Sequence, residues 1–230
     1  MTPIVLIPGQ LCTAEVFAPQ VAALWPQGPV TVASTLTGST LADMASAILE
    51  NAPPLFALAG ISLGGFLCFE LWRQAPERVL KLALLSTSAR PATLERAAQL
   101  RTYLARAQTL GLAETLTQAK GSSLHPVHRD DPFVRGTNRR MALTVGLKAL
   151  ARQTEAIITR PDSRPDLANI SAPTLVLVGD SDPLTTTEEA KEMAAAIPNA
   201  RLVVVPDCGH SATLEQPEAV SRALIDWIAR

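Results

Sequence analysis

The sequence predicts an α/β fold with a mostly parallel sheet of about six strands flanked by helices. Short apolar runs rich in β-branched residues alternate along the chain with longer segments of helical periodicity. The apolar runs also lack the polar alternation of a half-exposed strand, which is typical of strands covered by helices on both faces. A strand–helix–strand order implies right-handed crossovers between parallel neighbours.

Six runs are predicted as buried strands, and they are Ile4–Ile7, Val30–Ala33, Phe56–Ile61, Val79–Leu85, Thr174–Val178 and Arg201–Val205. Helices are predicted between or after them, at about residues 15–24, 40–50, 63–75, 185–197 and 216–229. Pro76 ends the third helix and Pro198 follows the fourth, because proline cannot continue a helix.

The alternation stops in one long stretch. No convincing strand occurs from about Arg90 to Ala168, although Leu94, Ala97, Ala98, Arg101 and Leu104 repeat with helical spacing. Residues 121–131 read as a loop. We therefore expect residues 1–89 and 169–230 to form the core, and residues 90–168 to form a helical cap inserted over one end of the sheet.

Composition excludes several classes of partner. The net charge of −1 gives no electrostatic basis for binding nucleic acid or an anionic membrane. No run approaches the roughly 20 apolar residues that a membrane helix needs, and the N-terminus lacks the features of a secretory signal. Three scattered cysteines, Cys12, Cys68 and Cys208, argue against a disulfide framework. We expect a cytoplasmic protein.

A candidate nucleophile lies where the third strand meets its helix. The segment from Gly60 to Gly64 reads G-x-S-x-G, with Ser62 at its centre. A serine on a very sharp strand-to-helix turn has a strained backbone, and the flanking glycines let strand and helix approach closely. One alternative is a glycine-rich turn that contains a serine by chance. Another is a helix N-terminus that binds phosphate, but the G-K-S/T ending of a P-loop is absent.

His210 is the candidate general base, because it follows the last strand and so lies at the same sheet edge as Ser62. The other histidines, His125 and His128, fall in the predicted loop. With Asp130 and Asp131 nearby they could indicate a metal site, but the loop has no helical frame to hold ligands, so solvent-facing histidines are the simpler interpretation.

The acid that would orient the histidine follows the fifth strand. A carboxylate there can accept the second imidazole N–H and stabilise the imidazolium. Asp182 is favoured because it lies further into the loop than Asp180, which is better suited to bonding local N–H groups in a turn. Asp207 is close to His210 in sequence but is the weakest candidate.

These motifs resemble those of the α/β-hydrolase superfamily, whose chain order is also Ser, Asp, His. The segments GISLGG, GDSDPLT and PDCGH carry the resemblance, which spans nearly the whole chain outside the cap. Within the superfamily the chain is similar to the serine carboxylesterase and enol-lactonase branch. The resemblance implies the α/β-hydrolase fold and no metal or organic cofactor. Since the chain begins directly at the first core strand, we expect no antiparallel edge.

The resemblance also implies an oxyanion hole made by the backbone N–H groups of Gln10 and Leu63. The family usually has a histidine before the glycine of the first loop, where this chain has Pro8. That departure leaves Gln10 and Leu11 as alternative donors in the loop.

The sequence therefore predicts a serine hydrolase that cleaves a small carboxylic ester or lactone through an acyl-enzyme. Carbon–carbon bond hydrolysis, cofactor-free haloperoxidase-like perhydrolysis or a lyase reaction could use the same residues, and a non-catalytic receptor on this fold is the alternative outside enzymes. Arg90, Arg135, Arg139 or Arg140 could bind a substrate carboxylate, although a solvent-facing arginine is the more ordinary interpretation of each.

Overall fold

The computed structural model describes all 230 residues, Met1–Arg230. Six strands form one sheet in the order β2-β1-β3-β4-β5-β6, and every neighbouring pair is parallel. Their bounds are β1 Ile4–Ile7, β2 Val30–Val32, β3 Phe56–Ile61, β4 Val79–Leu85, β5 Thr174–Gly179 and β6 Ala200–Val205. The predicted six-stranded parallel sheet without an antiparallel edge is confirmed.

Nine helices surround or cap the sheet. They are α1 Ala18–Leu24, α2 Leu41–Asn51, α3 Leu63–Gln74, α4 Leu94–Leu110, α5 Leu112–Ala119, α6 Pro132–Ile158, α7 Thr187–Ala196, α8 Ala212–Glu215 and α9 Pro217–Ala229. Alternate residues of the central strands enter two separate hydrophobic clusters, one packed under α2, α3 and α7 and the other under α1 and α9. The sheet is thus covered on both faces, as its continuous apolar strands predict.

The prediction that all six strands are buried is wrong at the two edges. In β2 no residue is fully buried, and in β6 only Val205 is. The strand order explains this difference, because β2 and β6 each have one neighbouring strand and less helical cover. The four central strands are buried almost throughout.

Helices α4, α5 and α6 occupy the stretch between β4 and β5, which contains no strand. Ala107, Leu112 and Leu150 form a small hydrophobic cluster among these helices. Leu94, the first residue of the helical repeat noted in the sequence, is 93% exposed, and the buried face of α4 begins at Ala97. Helix α6 is broken at Gly146, whose φ of 78° is left-handed. No helix of the chain combines the length and apolar character needed to cross a membrane.

Candidate active site

Ser62 lies in the turn between β3 and α3 and has φ 55° and ψ −114°, a strained conformation for a residue with a side chain. The surrounding structure holds it there. The Ser62 N–H donates to the Leu85 carbonyl at 3.0 Å, and the Thr87 hydroxyl donates to the Ser62 carbonyl at 3.0 Å. Backbone strain of this kind persists only where several contacts fix the residue.

The glycines around Ser62 allow backbone segments to touch. A Cβ atom on Gly60 would overlap the backbone of Gly64, and one on Gly64 would overlap the Ile7 carbonyl of β1. A Cβ atom on Gly65 would overlap the Thr87 side chain. Helix α3 therefore starts almost in contact with the sheet, and this close approach presents the Ser62 hydroxyl beyond the strand ends.

His210 follows β6 and faces the serine. Its Nε2 atom lies 2.9 Å from Ser62 Oγ, across 148 positions of sequence. Its backbone N–H donates to the Ser123 carbonyl at 2.9 Å, so the loop of residues 121–131 packs directly against the histidine. The structure brings together the serine and the histidine that the sequence singled out.

Asp182 follows β5, and its carboxylate oxygens lie 3.0 and 2.9 Å from His210 Nδ1. The residue is only 6% exposed. Burial by itself would raise the pKa of Asp182, but the charge of His210 and hydrogen bonds from His210 and from the Leu184 and Thr185 N–H groups together lower it below its usual value. The carboxylate is therefore ionised at neutral pH.

The two alternative acids do not contact the histidine. Asp180 accepts the Asp207 and Cys208 N–H groups at 3.1 and 3.2 Å and so ties the β5 turn to the β6 turn. Asp207 is exposed and has a left-handed φ of 51°. Of the three candidates, only Asp182 faces His210.

Glu215 is a structural part of the site that the sequence reasoning missed. It is 4% exposed and accepts the N–H groups of His125, Gly209 and Ser211 at 2.8 to 3.0 Å. These bonds fix both sides of the His210 loop and join it to the loop of residues 121–131. An acidic residue five positions after His210 was the available signal.

The loop after β1 reaches Ser62 at Gly9, where a Cβ atom would lie 3.4 Å from Ser62 Cβ. The Leu11 N–H donates to Gln153 Oε1 at 3.0 Å and is occupied. The backbone N–H groups of Gln10 and Leu63 donate to no protein atom. The structure therefore leaves Gln10, rather than Leu11, with a free N–H beside the serine.

Helix α6 braces that loop from the opposite side. Gln153 is fully buried, and its Nε2 donates to Thr35 Oγ1 at 3.0 Å while its Oε1 accepts from Leu11. The neighbouring Thr154 hydroxyl accepts from Gln10 Nε2 at 3.0 Å. These polar contacts hold the loop after β1 against α6.

A cavity of about 990 Å³ opens over Ser62 and His210, between the strand ends and helices α4 to α6. Apolar side chains form part of its wall, including Ile61, Phe66, Leu100, Leu116, Leu124 and Ile157. Arginines also line the cavity, so its wall is only partly apolar.

The arginines proposed from the sequence mostly have other partners. Arg90 and Arg140 form ion pairs with Glu192 and Glu15 at 2.7 Å, and Arg140 does not line the cavity. Arg135 lies 3.4 Å from an exposed aspartate. Arg139 donates to a backbone carbonyl and a hydroxyl of α5. Two arginines that the sequence reasoning did not single out, Arg96 and Arg160, also line the cavity.

His125 and His128 belong to a short 3-10 turn, with ring centroids 6.3 Å apart. The His125 ring caps this turn by accepting the Val127 N–H at 3.3 Å. No group of three or more histidine, cysteine, aspartate or glutamate side chains is placed to hold a metal ion.

In a comparison with known proteins, residues 4–223 match the model of a family described as "Alpha/beta hydrolase family". The chain is 32% identical over 200 residues to a pimeloyl-[acyl-carrier protein] methyl ester esterase of Nitrosomonas europaea. The aligned region covers 78% of this chain and 73% of that protein. It is 30% identical over 211 residues to a putative non-heme bromoperoxidase of Mycobacterium tuberculosis, covering 84% of this chain and 75% of that protein.

Several solved structures share the fold of this chain. A thermophilic esterase from Thermogutta terrifontis superposes with a TM-score of 0.88 and 29% identity, over 100% of this chain and 90% of that one. The enol-lactonase from Burkholderia xenovorans superposes with a TM-score of 0.89, over 100% of this chain and 92% of that one. Its identity of 24% is evidence for the shared fold alone.

The close contact at Gly64 generates a stability prediction. Gly64→Ala should lower the free energy of unfolding by about 3 kcal/mol or more, or prevent folding, because the new methyl group meets a backbone carbonyl that cannot move aside. Gly136→Ala is the control, since it lies in α6 with no atom within 4 Å and should be neutral or gain up to about 1 kcal/mol. Urea unfolding measures both. Similar stabilities of the two variants would contradict the close contact between Gly64 and the Ile7 carbonyl.

The lowered pKa of Asp182 predicts a pH dependence of stability. A carboxylate whose pKa is lower in the folded than in the unfolded chain stabilises the fold fully above the unfolded pKa, and loses this effect as the pH falls through the folded pKa. Asp182→Asn should therefore cost about 1–3 kcal/mol near neutral pH, and the difference from wild type should shrink as the pH falls below 3.8, the ordinary pKa of an aspartate.

Urea unfolding of both proteins across this pH range is the measurement. Asp130→Asn is the matched control, because the Asp130 side chain is 98% exposed. A cost for Asp182→Asn that stays constant with pH would show that the carboxylate charge is not the stabilising feature.

Proposed function

Because this chain belongs to the alpha/beta hydrolase family, we propose that it is a serine hydrolase that cleaves a small carboxylic ester or lactone through an acyl-enzyme. Ser62 is the nucleophile, His210 the general base and acid, and Asp182 the acid that orients the histidine. The observation that carries the proposal is the continuous chain of contacts from Ser62 Oγ to His210 and on to Asp182, each 2.9 to 3.0 Å long.

The first half of the reaction follows from the protonation states. The ionised Asp182 accepts a hydrogen bond from His210 Nδ1–H, which leaves the Nε2 lone pair facing Ser62 Oγ. As Oγ attacks the ester carbonyl, Nε2 takes its proton and the imidazolium is stabilised by Asp182. The carbonyl oxygen becomes an oxyanion, and the free N–H groups of Gln10 and Leu63 bind it.

The second half returns the enzyme to its starting state. The tetrahedral intermediate collapses to an acyl-serine ester as His210 gives its proton to the leaving alkoxide. A water molecule then loses a proton to His210 and attacks the acyl carbonyl, and the proton returns to Ser62 as the acid leaves. Each of the two oxyanion donors contributes about 3–4 kcal/mol to lowering the barrier by analogy with other hydrolases.

The cavity and the relatives support an ester as the substrate. In this proposal residues 90–168 form the cap that roofs the cavity, and residues 1–89 with 169–230 form the core that carries the three catalytic residues. The cavity of about 990 Å³ suits a small molecule. One relative is named a methyl ester esterase and one structural relative at 29% identity an esterase.

Perhydrolysis is a second candidate, favoured by the similarity to a protein named a putative non-heme bromoperoxidase. Hydrogen peroxide would replace water as the acceptor of the acyl group, giving a peracid and free Ser62. Product analysis with and without peroxide separates the two reactions.

Replacing the nucleophile tests the proposal directly. Ser62→Ala should lower kcat for ester hydrolysis by at least about a thousandfold and abolish labelling by a fluorophosphonate probe, because no other hydroxyl contacts His210. Ser46→Ala, at an exposed position of α2, should keep both activities. Undiminished hydrolysis by a well-folded Ser62→Ala protein would refute the assignment, and labelling without turnover in wild type would indicate a receptor.

The brace on the oxyanion loop can be tested through kcat. Gln153→Leu removes the acceptor of the Leu11 N–H and the donor to Thr35, and the loop should relax away from the geometry that places Gln10. We expect kcat to fall by about tenfold or more with little change in KM, alongside a loss of about 1–3 kcal/mol in stability.

Gln118→Leu, on the exposed face of α5, is the matched control and should leave kcat unchanged. Steady-state kinetics and urea unfolding give both readouts. A Gln153→Leu protein that loses stability but retains kcat would show that Gln153 has no part in positioning the loop.

A further inference from the structure

Two arginines line the cavity that contains Ser62 and His210, and neither has a carboxylate partner. Arg96 lies on α4 and Arg160 follows α6. Neither forms an ion pair, whereas Arg90 at the same cavity is paired with Glu192 at 2.7 Å. Half-buried charges without a partner are costly in a folded protein, so their position in the cavity requires an explanation.

Arg160 is held in place but keeps free donors. Its Nε and Nη1 donate to the carbonyls of Arg90 and Ile157 at 2.9 and 2.8 Å. Its guanidinium lies over the Phe66 ring, 4.3 Å from the centroid. Phe66 lies in the first turn of α3, and its N–H donates to the Ser62 carbonyl at 3.2 Å, so this stacking places the guanidinium against a residue one turn beyond Ser62. The Nη2 group donates to no protein atom.

Arg96 is positioned by α4, and its guanidinium makes almost no hydrogen bonds. It shares one face of the helix with Leu100 and Tyr103, both of which line the cavity. Its only side-chain hydrogen bond goes to Gln99 Oε1, at a long 3.4 Å. Most of its guanidinium donors therefore remain available to a bound molecule.

Both guanidiniums carry a positive charge that no nearby carboxylate pairs with. Burial is the main cause that lowers the pKa of both guanidiniums. For Arg160, burial outweighs the opposing charge of Glu189 and, with the like charge of Arg96, lowers the pKa to about 10. Both therefore stay protonated at neutral pH. The acids that act on them, Glu189 and Asp182, already have other partners. Glu189 accepts hydrogen bonds from the Ser88 hydroxyl at 2.9 Å and from the Thr186 N–H at 2.8 Å, and Asp182 faces His210.

We propose that Arg96 and Arg160 together bind a carboxylate of the substrate, so that the enzyme prefers esters or lactones that carry a second, acidic group. The assignment rests on the proposed hydrolase function. Two planar guanidiniums match a carboxylate by paired hydrogen bonds. A singly charged carboxylate fits better than a phosphate, because the carboxylates of Glu189 and Asp182 lie within electrostatic reach and oppose a second negative charge.

The surrounding wall fits the rest of such a substrate. Phe66, Leu100 and Ile157 line the cavity beside the two arginines, and they would cover a short hydrocarbon chain between the carboxylate and the scissile ester. An ester with an apolar end would place that end against two desolvated charges, which costs affinity.

A matched pair of substrates tests this proposal. Monomethyl adipate and methyl hexanoate have acyl chains of the same length and differ in the terminal carboxylate. Wild type should show the higher kcat/KM for monomethyl adipate. Arg96→Gln should lower kcat/KM for this substrate by about 10- to 100-fold, the loss expected for hydrogen bonds to a charged group, and change that for methyl hexanoate by less than about twofold.

Two further variants separate binding from a general structural effect. Arg106→Gln lies on the same helix with an exposed side chain outside the cavity, and both substrates should be hydrolysed as by wild type. Arg160→Lys keeps the charge but not the planar fork, and should give a smaller selective loss than Arg96→Gln. Equal losses on both substrates, or no preference in wild type, would overturn the proposal.

Calorimetric titration of wild type and Arg96→Gln with adipate measures carboxylate binding without any turnover. Adipate binding that needs Arg96, without hydrolysis of either ester, would refute the hydrolase function and retain the carboxylate site. Hydrolysis of both esters without preference and without adipate binding would refute the carboxylate site and retain the hydrolase. Inorganic phosphate that binds through Arg96 more tightly than adipate would overturn the choice of a carboxylate.

Discussion

The close packing of α3 against the end of β3 is the constraint on which the site depends. Gly60 and Gly64 leave no room for a side chain between the helix, the strand and the Ile7 carbonyl. The chain can then leave β3 only by a sharp turn, and Ser62 has a left-handed backbone as a result. This conformation aims the hydroxyl away from the sheet, toward the strand ends where the β5 and β6 loops also meet.

Polar contacts from outside the sheet hold these loops together. Glu215 accepts the backbone N–H groups of Gly209 and Ser211, on either side of His210, and that of His125. Gln153, on α6, accepts the Leu11 N–H. Both residues are buried, so a missing partner would leave unsatisfied polar groups in a dry environment. The helices between β4 and β5 therefore help to set the geometry around the serine as well as covering it.

Charge is distributed unevenly between the surface and the cavity. The whole chain has a net charge of −1, yet five arginines and two acidic residues line the cavity. Low-dielectric walls concentrate such a field, and a small anionic molecule would experience it more strongly than the balanced outer surface. The arginines at this cavity lie on or next to the helices between β4 and β5, whereas Ser62, Asp182 and His210 follow strands of the sheet.

The sequence by itself determined the parallel sheet, its six strands, and the three residues Ser62, Asp182 and His210 as candidates. Each lies within five residues after the end of a predicted strand. Because parallel strands bring their carboxyl ends to one edge of the sheet, local patterns were sufficient. Only the tertiary structure decided the roles of Gln153 and Glu215 and the exposure of Leu94. Those depend on contacts between segments far apart in sequence, such as the 142 positions between Leu11 and Gln153, and on how the helices of residues 90–168 turn their faces. No short-range period encodes such contacts, because they are set by the packing of whole elements against each other.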